Sequence, residues 1–127
     1  MSENRNIRQL IFDLGWEIVA FITLICSIII LWLNNLFLLT VVTMQCLTAL
    51  WFWHERYDLC FFSVTFVFGT LAEITFVSSG IWQYTNPTLY GIPLWFPVAF
   101  GTTALITQRL SITLTKIWNT ISPTRNQ

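Results

Sequence analysis

Apolar and polar positions along this chain fall into long blocks. Four apolar runs stand out, at about residues 16–33, 36–53, 59–77 and 92–110. A helix needs roughly 20 residues to cross the hydrocarbon core of a bilayer. The first three runs meet that length with polar ends. The fourth is interrupted by Pro93 and Pro97 and carries Thr102, Thr103 and Thr107, yet it still reads as a crossing. Pro93 can begin its helix, and Pro97 then falls near the first turn, where proline is tolerated. Asn34-Asn35 joins the first two runs, and His54-Glu55-Arg56-Tyr57-Asp58 joins the second to the third. Links this short force antiparallel neighbours. The third link, residues 78–91, is longer and holds the turn signals Ser78-Ser79-Gly80 and Asn86-Pro87.

Two weaker periodic stretches flank the runs. Ile7, Leu10, Ile11 and Leu14 recur at helical spacing and predict an amphipathic lead-in over about residues 7–15. Leu110, Leu114, Ile117, Trp118 and Ile121 predict a second such segment over 110–121, stopped by Ser122-Pro123. The first run is not a secretory signal, because it is long, acidic at its flank and lacks a small-residue cleavage site. The pattern therefore predicts one all-α domain, an integral membrane bundle of four transmembrane helices running up-down-up-down.

Charge fixes the direction. All six basic residues fall on one side of a four-span arrangement: Arg5 and Arg8 before the first span, Arg56 between the second and third, and Arg109, Lys116 and Arg125 at the end. Neither the Asn34-Asn35 turn nor the 78–91 link holds one. Under the positive-inside rule both termini are cytoplasmic and the aromatic link faces the other way. Three or five spans would break the pattern.

Composition agrees with lipid as the solvent. The chain is 55% hydrophobic and only 9% charged, against about 25% charged in a soluble domain. Its net charge of zero argues against nucleic acid, which needs a basic face. A multipass protein of a bacterial inner membrane is the expectation. Cys26, Cys46 and Cys60 lie in or beside apolar runs and read as packing residues, with no disulfide framework or zinc spacing. No cofactor motif or histidine cluster is present.

Within this frame Glu73 is anomalous. It is the only charged residue between Asp58 and Arg109. An acidic side chain at the centre of a membrane helix costs roughly 2.5–3.5 kcal/mol, and such groups usually face a bundle interior. Gly69, one turn earlier, leaves a gap in the helix surface beside it, where a helix or ligand can approach. A carboxyl in apolar surroundings with no cation favours its neutral form, which can donate a proton. The structural alternative is that Glu73 hydrogen-bonds to neighbouring polar groups and pins helices together. The segment that follows is dense in Trp, Tyr, Pro and Gly. Trp82, Tyr84, Tyr90 and Trp95 are its candidate ligand-binding side chains. Aromatic residues are common at membrane interfaces, but the density of Pro and Gly suggests a shaped loop folded over the end of the bundle near Glu73.

Two other groups read as structural. Asp13 and Glu17, four apart on one helical face, would repel unless a basic group joins them; an ion pair on the cytoplasmic side is expected. The segment from His54 to Asp58 reads as a solvated turn.

The order Glu73, Gly80-x-Trp82-x-Tyr84, Pro87, Gly91-Ile92-Pro93-Leu94, Pro97 resembles the bacterial carotenoid-biosynthesis membrane proteins that include carotenoid hydratases. The likeness covers about residues 73–101. Glu73-Ile74-Thr75-Phe76 is similar, too, to the E-x-x-F element of small membrane lycopene cyclases, with Leu71 where those have proline. Both resemblances imply apolar isoprenoid or lipid ligands. Three functions stay open. The first is a small multipass protein holding a lipid-like ligand or a partner helix around Glu73, acting as a homo-oligomer or in a larger membrane complex. The second is an enzyme on a carotenoid or polyprenyl substrate, with Glu73 as general acid and Trp82, Tyr84 and Trp95 stabilising cationic character through their ring faces. The third is a transporter or channel subunit.

Overall fold

A computed structural model describes residues 6–53 and 55–122. His54, Arg5, Pro123 and Arg125, which entered the reading above, lie outside the described residues. Among these residues four helices form: α1 (Ile7–Leu31), α2 (Asn35–Trp53), α3 (Arg56–Ser78) and α4 (Phe96–Ile121). No strand accompanies them, only an isolated antiparallel bridge between Leu89 and Ile92.

A helix pairs its own backbone N–H and C=O groups, so a long apolar segment can form one without other partners. Side chains finish the ends. Asn6 caps α1 by accepting from the Arg8 amide, and the Asn34 carboxamide accepts from the Phe37 amide at the start of α2. Glu55 and Asp58 form a capping box on α3. Hydroxyls inside the helices are mostly internalised. Thr23, Ser27, Thr48, Ser63, Thr75 and Thr102 each donate to the carbonyl four residues earlier. A threonine held this way shows its methyl, not its hydroxyl, to its surroundings.

Cross-helix contacts give the directions. Gln45 donates to Ser27 at 2.8 Å, so α1 and α2 run antiparallel. Thr113 donates to Glu17 at 2.7 Å, which sets the end of α4 beside the start of α1. The Phe100 ring meets Gly69, while Arg109 pairs with Asp58, so α3 and α4 are also antiparallel. Trp95 bonds Asn35, and Arg109 bonds the Trp53 carbonyl, so α2 and α4 are parallel. Consecutive helices thus alternate in direction. The core gathers Leu24, Leu38, Val42, Trp95, Ala99 and Ile106 from α1, α2 and the start of α4.

α1, α2 and α3 are long and apolar enough to cross a membrane. α4 is as long but carries Gln108, Arg109 and Lys116. It packs against all three others, and Thr102, Leu105, Ile106 and Thr113 are buried along it. The least apolar helix therefore sits at the centre, where the others shield its polar groups.

In the fold itself the structure departs from the sequence reading in four places. The fourth helix begins at Phe96, not near Ile92, because Thr88 and Leu89 donate to the Ile92 carbonyl and close a turn. That turn carries Tyr90 and Gly91 at positive φ, 49° and 81°. Next, neither amphipathic flank is separate: each continues its neighbour as one helix, α1 from Ile7 and α4 to Ile121. Third, α3 leans on α4 and barely meets α2 despite their short link. The reason is local. An added Cβ at Gly69 would stand 2.2 Å from the Phe100 ring, and one at Gly101 would stand 2.7 Å from Phe62, so each helix seats an aromatic ring against the other's glycine. Finally, the stretch ending at Asp58 is not a solvated turn, because α3 has already begun at Arg56. Asp58 is fully buried and ion-paired to Arg109.

Candidate functional site

The end of α3 is shaped by Gly80. Its amide donates to the Val77 carbonyl, and the Ile81 amide donates to the Phe76 carbonyl. This paired closure of a helix C-terminus needs a left-handed residue, here Gly80 at φ 75°. The chain turns back, and residues 82–84 return alongside the last turns of α3.

Glu73 lies half-buried there. Trp82 Nε1 donates to its Oε1 at 2.8 Å, and Tyr84 Oη donates to the same oxygen at 2.5 Å. Among the described residues Oε2 accepts no hydrogen bond, and it is not among the buried polar atoms. One carboxylate oxygen is thus fixed by two donors while the other stays accessible. Aromatic rings flank it. Trp82 packs on Phe76 with centroids 5.3 Å apart, Tyr84 meets Phe96 edge-on at 6.0 Å, and Phe96 stacks on Phe100 at 5.3 Å. Burial, and then the bond to Glu73 and its charge, push the Tyr84 phenol well above its ordinary pKa. Tyr84 is therefore a donor that keeps its proton.

The sequence candidates separate in space. Glu73, Trp82 and Tyr84 come together. The gap at Gly69 is taken by Phe100, a side chain of the protein itself. Trp95 is buried and donates to Asn35 Oδ1 at 3.1 Å. Tyr90 is exposed at the tip of its turn. A surface cavity of about 220 Å³ lies lower on α3, among Cys60, Phe61, Val64 and Thr65. The Glu73 site is an open rim under an aromatic loop.

Two polar clusters were not foreseen. In the first, Asn35 Nδ2 donates to the Asn86 carbonyl and to Thr88 Oγ1, and Asn86 Nδ2 donates to the Leu33 carbonyl at 2.9 Å. This network ties the 79–95 connection onto the α1–α2 turn. The paired asparagines were visible in the sequence, but only as turn residues. The second cluster lies at the other end of the bundle. Arg109 pairs with Asp58 and with Glu55 at 3.1 Å, and its guanidinium lies over the Trp53 ring, 5.7 Å from the centroid. Glu17, expected in an ion pair, is buried and instead accepts from Thr113. Among the described residues no three His, Cys, Asp or Glu side chains gather to hold a metal, and the three cysteines are free.

Compared with protein-family models, with curated proteins and with solved structures, the chain matches none.

Proposed function

We propose that this chain is a multipass membrane protein that crosses a bacterial inner membrane four times, and that its Glu73 site holds a lipid-like ligand. Membrane residence is supported by where the apolar surface lies. In the most apolar window of α1, α2 and α3, only 11%, 17% and 6% of residues are buried inside the protein. Helices that apolar, turned outward, fit a lipid surround. The basic residues at one end of the bundle favour cytoplasmic termini, with Glu73 toward the opposite face.

The observation that carries the ligand reading is the asymmetric carboxyl. Trp82 and Tyr84 occupy Oε1 and leave Oε2 accessible beside an aromatic wall. Such a rim fits an amphiphile with its polar end at Oε2 and an apolar tail, of isoprenoid or acyl type, along Phe76, Phe96 and Phe100. An isoprenoid tail is the option implied by the resemblance drawn from residues 73–101. The test is mass spectrometry of lipids that co-purify with the full chain. Wild type should retain a specific lipid-like species, and Glu73→Gln, which keeps an acceptor for both donors, should lose most of it. An identical lipid profile from the two would sink the reading.

The same geometry favours an enzyme as the second reading. With Oε1 accepting two bonds, the proton of a neutral Glu73 sits on Oε2, facing an alkene held on the rim. Glu73→Gln in cells making the candidate isoprenoid should then abolish product at normal protein abundance. Unchanged product would rule this out.

A further inference from the structure

The two ends of the bundle carry the same pairing of groups. At one end the Asp58 carboxylate and the Trp53 ring hold Arg109, with the guanidinium 5.7 Å from the indole centroid. At the other the Glu73 carboxylate and the Trp82 indole stand together, and among the described residues no basic side chain reaches them. Arg56, at the start of the same helix, is 17 positions away, about 25 Å along the axis at 1.5 Å per residue. Arg109 is committed to Asp58 and Glu55. We infer that the Glu73 rim is a receptor for a cation supplied by the ligand: an ammonium, quaternary ammonium or phosphonium group carrying an apolar body. This deepens the ligand reading above and rests on it.

Three features fit that chemistry. The donors from Trp82 and Tyr84 run in the planes of their rings, so ring edges meet Oε1 and the ring faces are not used in these bonds. Aromatic faces attract cations, most strongly when the cation is poorly hydrated. Trp82 is 43% exposed and can offer a face at the rim. Moreover, Tyr84 keeps its proton and stays a donor to Oε1, so Oε2 is the carboxyl oxygen left for a ligand. As a carboxylate, Glu73 presents a negative charge with an accessible oxygen at the rim. An anionic ligand would meet repulsion, and a neutral one would leave the charge unpaired.

The experiment uses the purified full chain in neutral maltoside micelles, with tetraphenylphosphonium as cationic probe and triphenylphosphine oxide as neutral comparison. Tryptophan fluorescence reports binding. The cation should bind saturably, at least ten-fold more tightly than the neutral compound. Glu73→Gln should weaken the cation at least ten-fold, and Trp82→Leu should weaken it several-fold. Affinity should also fall as acid protonates the carboxyl. A short-chain phosphatidylcholine that displaces the probe identifies a lipid headgroup as the source, and failure to displace it identifies a free lipophilic cation. Equal binding by Glu73→Gln, or no binding to wild type with its thermal transition intact, overturns the inference. Neutral and cationic probes binding alike, both through the rim, would overturn cation selectivity while leaving the ligand reading standing. Loss of both probes and of the co-purifying lipid would remove that reading as well.

Discussion

Glu73 and Asp58 are both carboxyls on α3, and their neighbours give them opposite duties. Asp58 is fully buried against Arg109, which is itself only 11% exposed in its side chain. Removing one partner of a buried pair strands the other charge, at a cost of about 3–5 kcal/mol. Asp58→Asn should therefore lower the thermal transition in micelles sharply. Glu55 touches the same guanidinium but is 58% exposed, so Glu55→Gln should cost less than about 1 kcal/mol. Comparable losses from the two variants would contradict this assignment. At the other end, the Tyr84 phenol is raised by burial and by Glu73. A group whose folded pKa lies above its unfolded value stabilises the fold fully below the unfolded pKa, about 10 for tyrosine. That contribution is lost as pH rises through the folded pKa. The Tyr84–Glu73 bond should thus persist through neutral and mildly alkaline pH. In a phenolate absorbance titration, Tyr84→Phe should remove the latest of the tyrosine steps.

The α3–α4 contact depends on two glycines, each with the other helix's aromatic ring against it. A methyl at Gly101 would meet Phe62 at 2.7 Å in a buried position. Overpacking of this kind costs about 1–3 kcal/mol, which outweighs the roughly 0.5–1 kcal/mol that alanine gains over glycine within a helix. Gly101→Ala should destabilise the bundle, and Phe62→Leu in the same chain should recover most of the loss. A thermal double-mutant cycle that came out additive would show that the two residues do not interact. The sequence announced only half of this contact: Gly69 read as a gap that a helix could approach, but neither Gly101 nor the two phenylalanines pointed to α4. α2 and α3 are apolar on every side, so periodicity marks no packing face on either, and short links made them look like partners. The helices themselves were legible, because their lengths match a bilayer and turn residues separate them. Their pairing was not, because it rests on the fit of single side chains such as Phe62 and Phe100. Similarly, Trp82 and Tyr84 were legible as neighbours of Glu73 from the Gly80 turn. The destination of Trp95 was not, since it depends on Asn35, sixty residues away.

At the scale of the whole molecule, polarity is arranged in two ways at once. Across the bundle, the least apolar helix lies inside and three apolar helices turn outward. Along it, the described basic residues Arg8, Arg56, Arg109 and Lys116 gather away from the Glu73 rim, and the ionic cluster of Asp58, Glu55 and Arg109 anchors their end. A membrane crossed four times would keep that end cytoplasmic, since Lys and Arg resist translocation. α4 decides whether the count is four. Alone it is the least likely helix to insert, because Gln108 and Arg109 lie well inside it. Within the bundle, Asp58 neutralises the guanidinium, and Thr102 and Thr103 bond to their own backbone. Its crossing should therefore depend on the first three helices. A reporter active only in the cytoplasm, fused after Gln127, should be active in the full chain, and one inserted beside Asn86 should be silent. Asp58→Leu, which leaves Arg109 without its buried partner, should lower the C-terminal signal and leave the Asn86 insertion silent. A C-terminal reporter that is silent in the full chain would mean that α4 does not cross, and Glu73 would then stand at the end of a three-span protein.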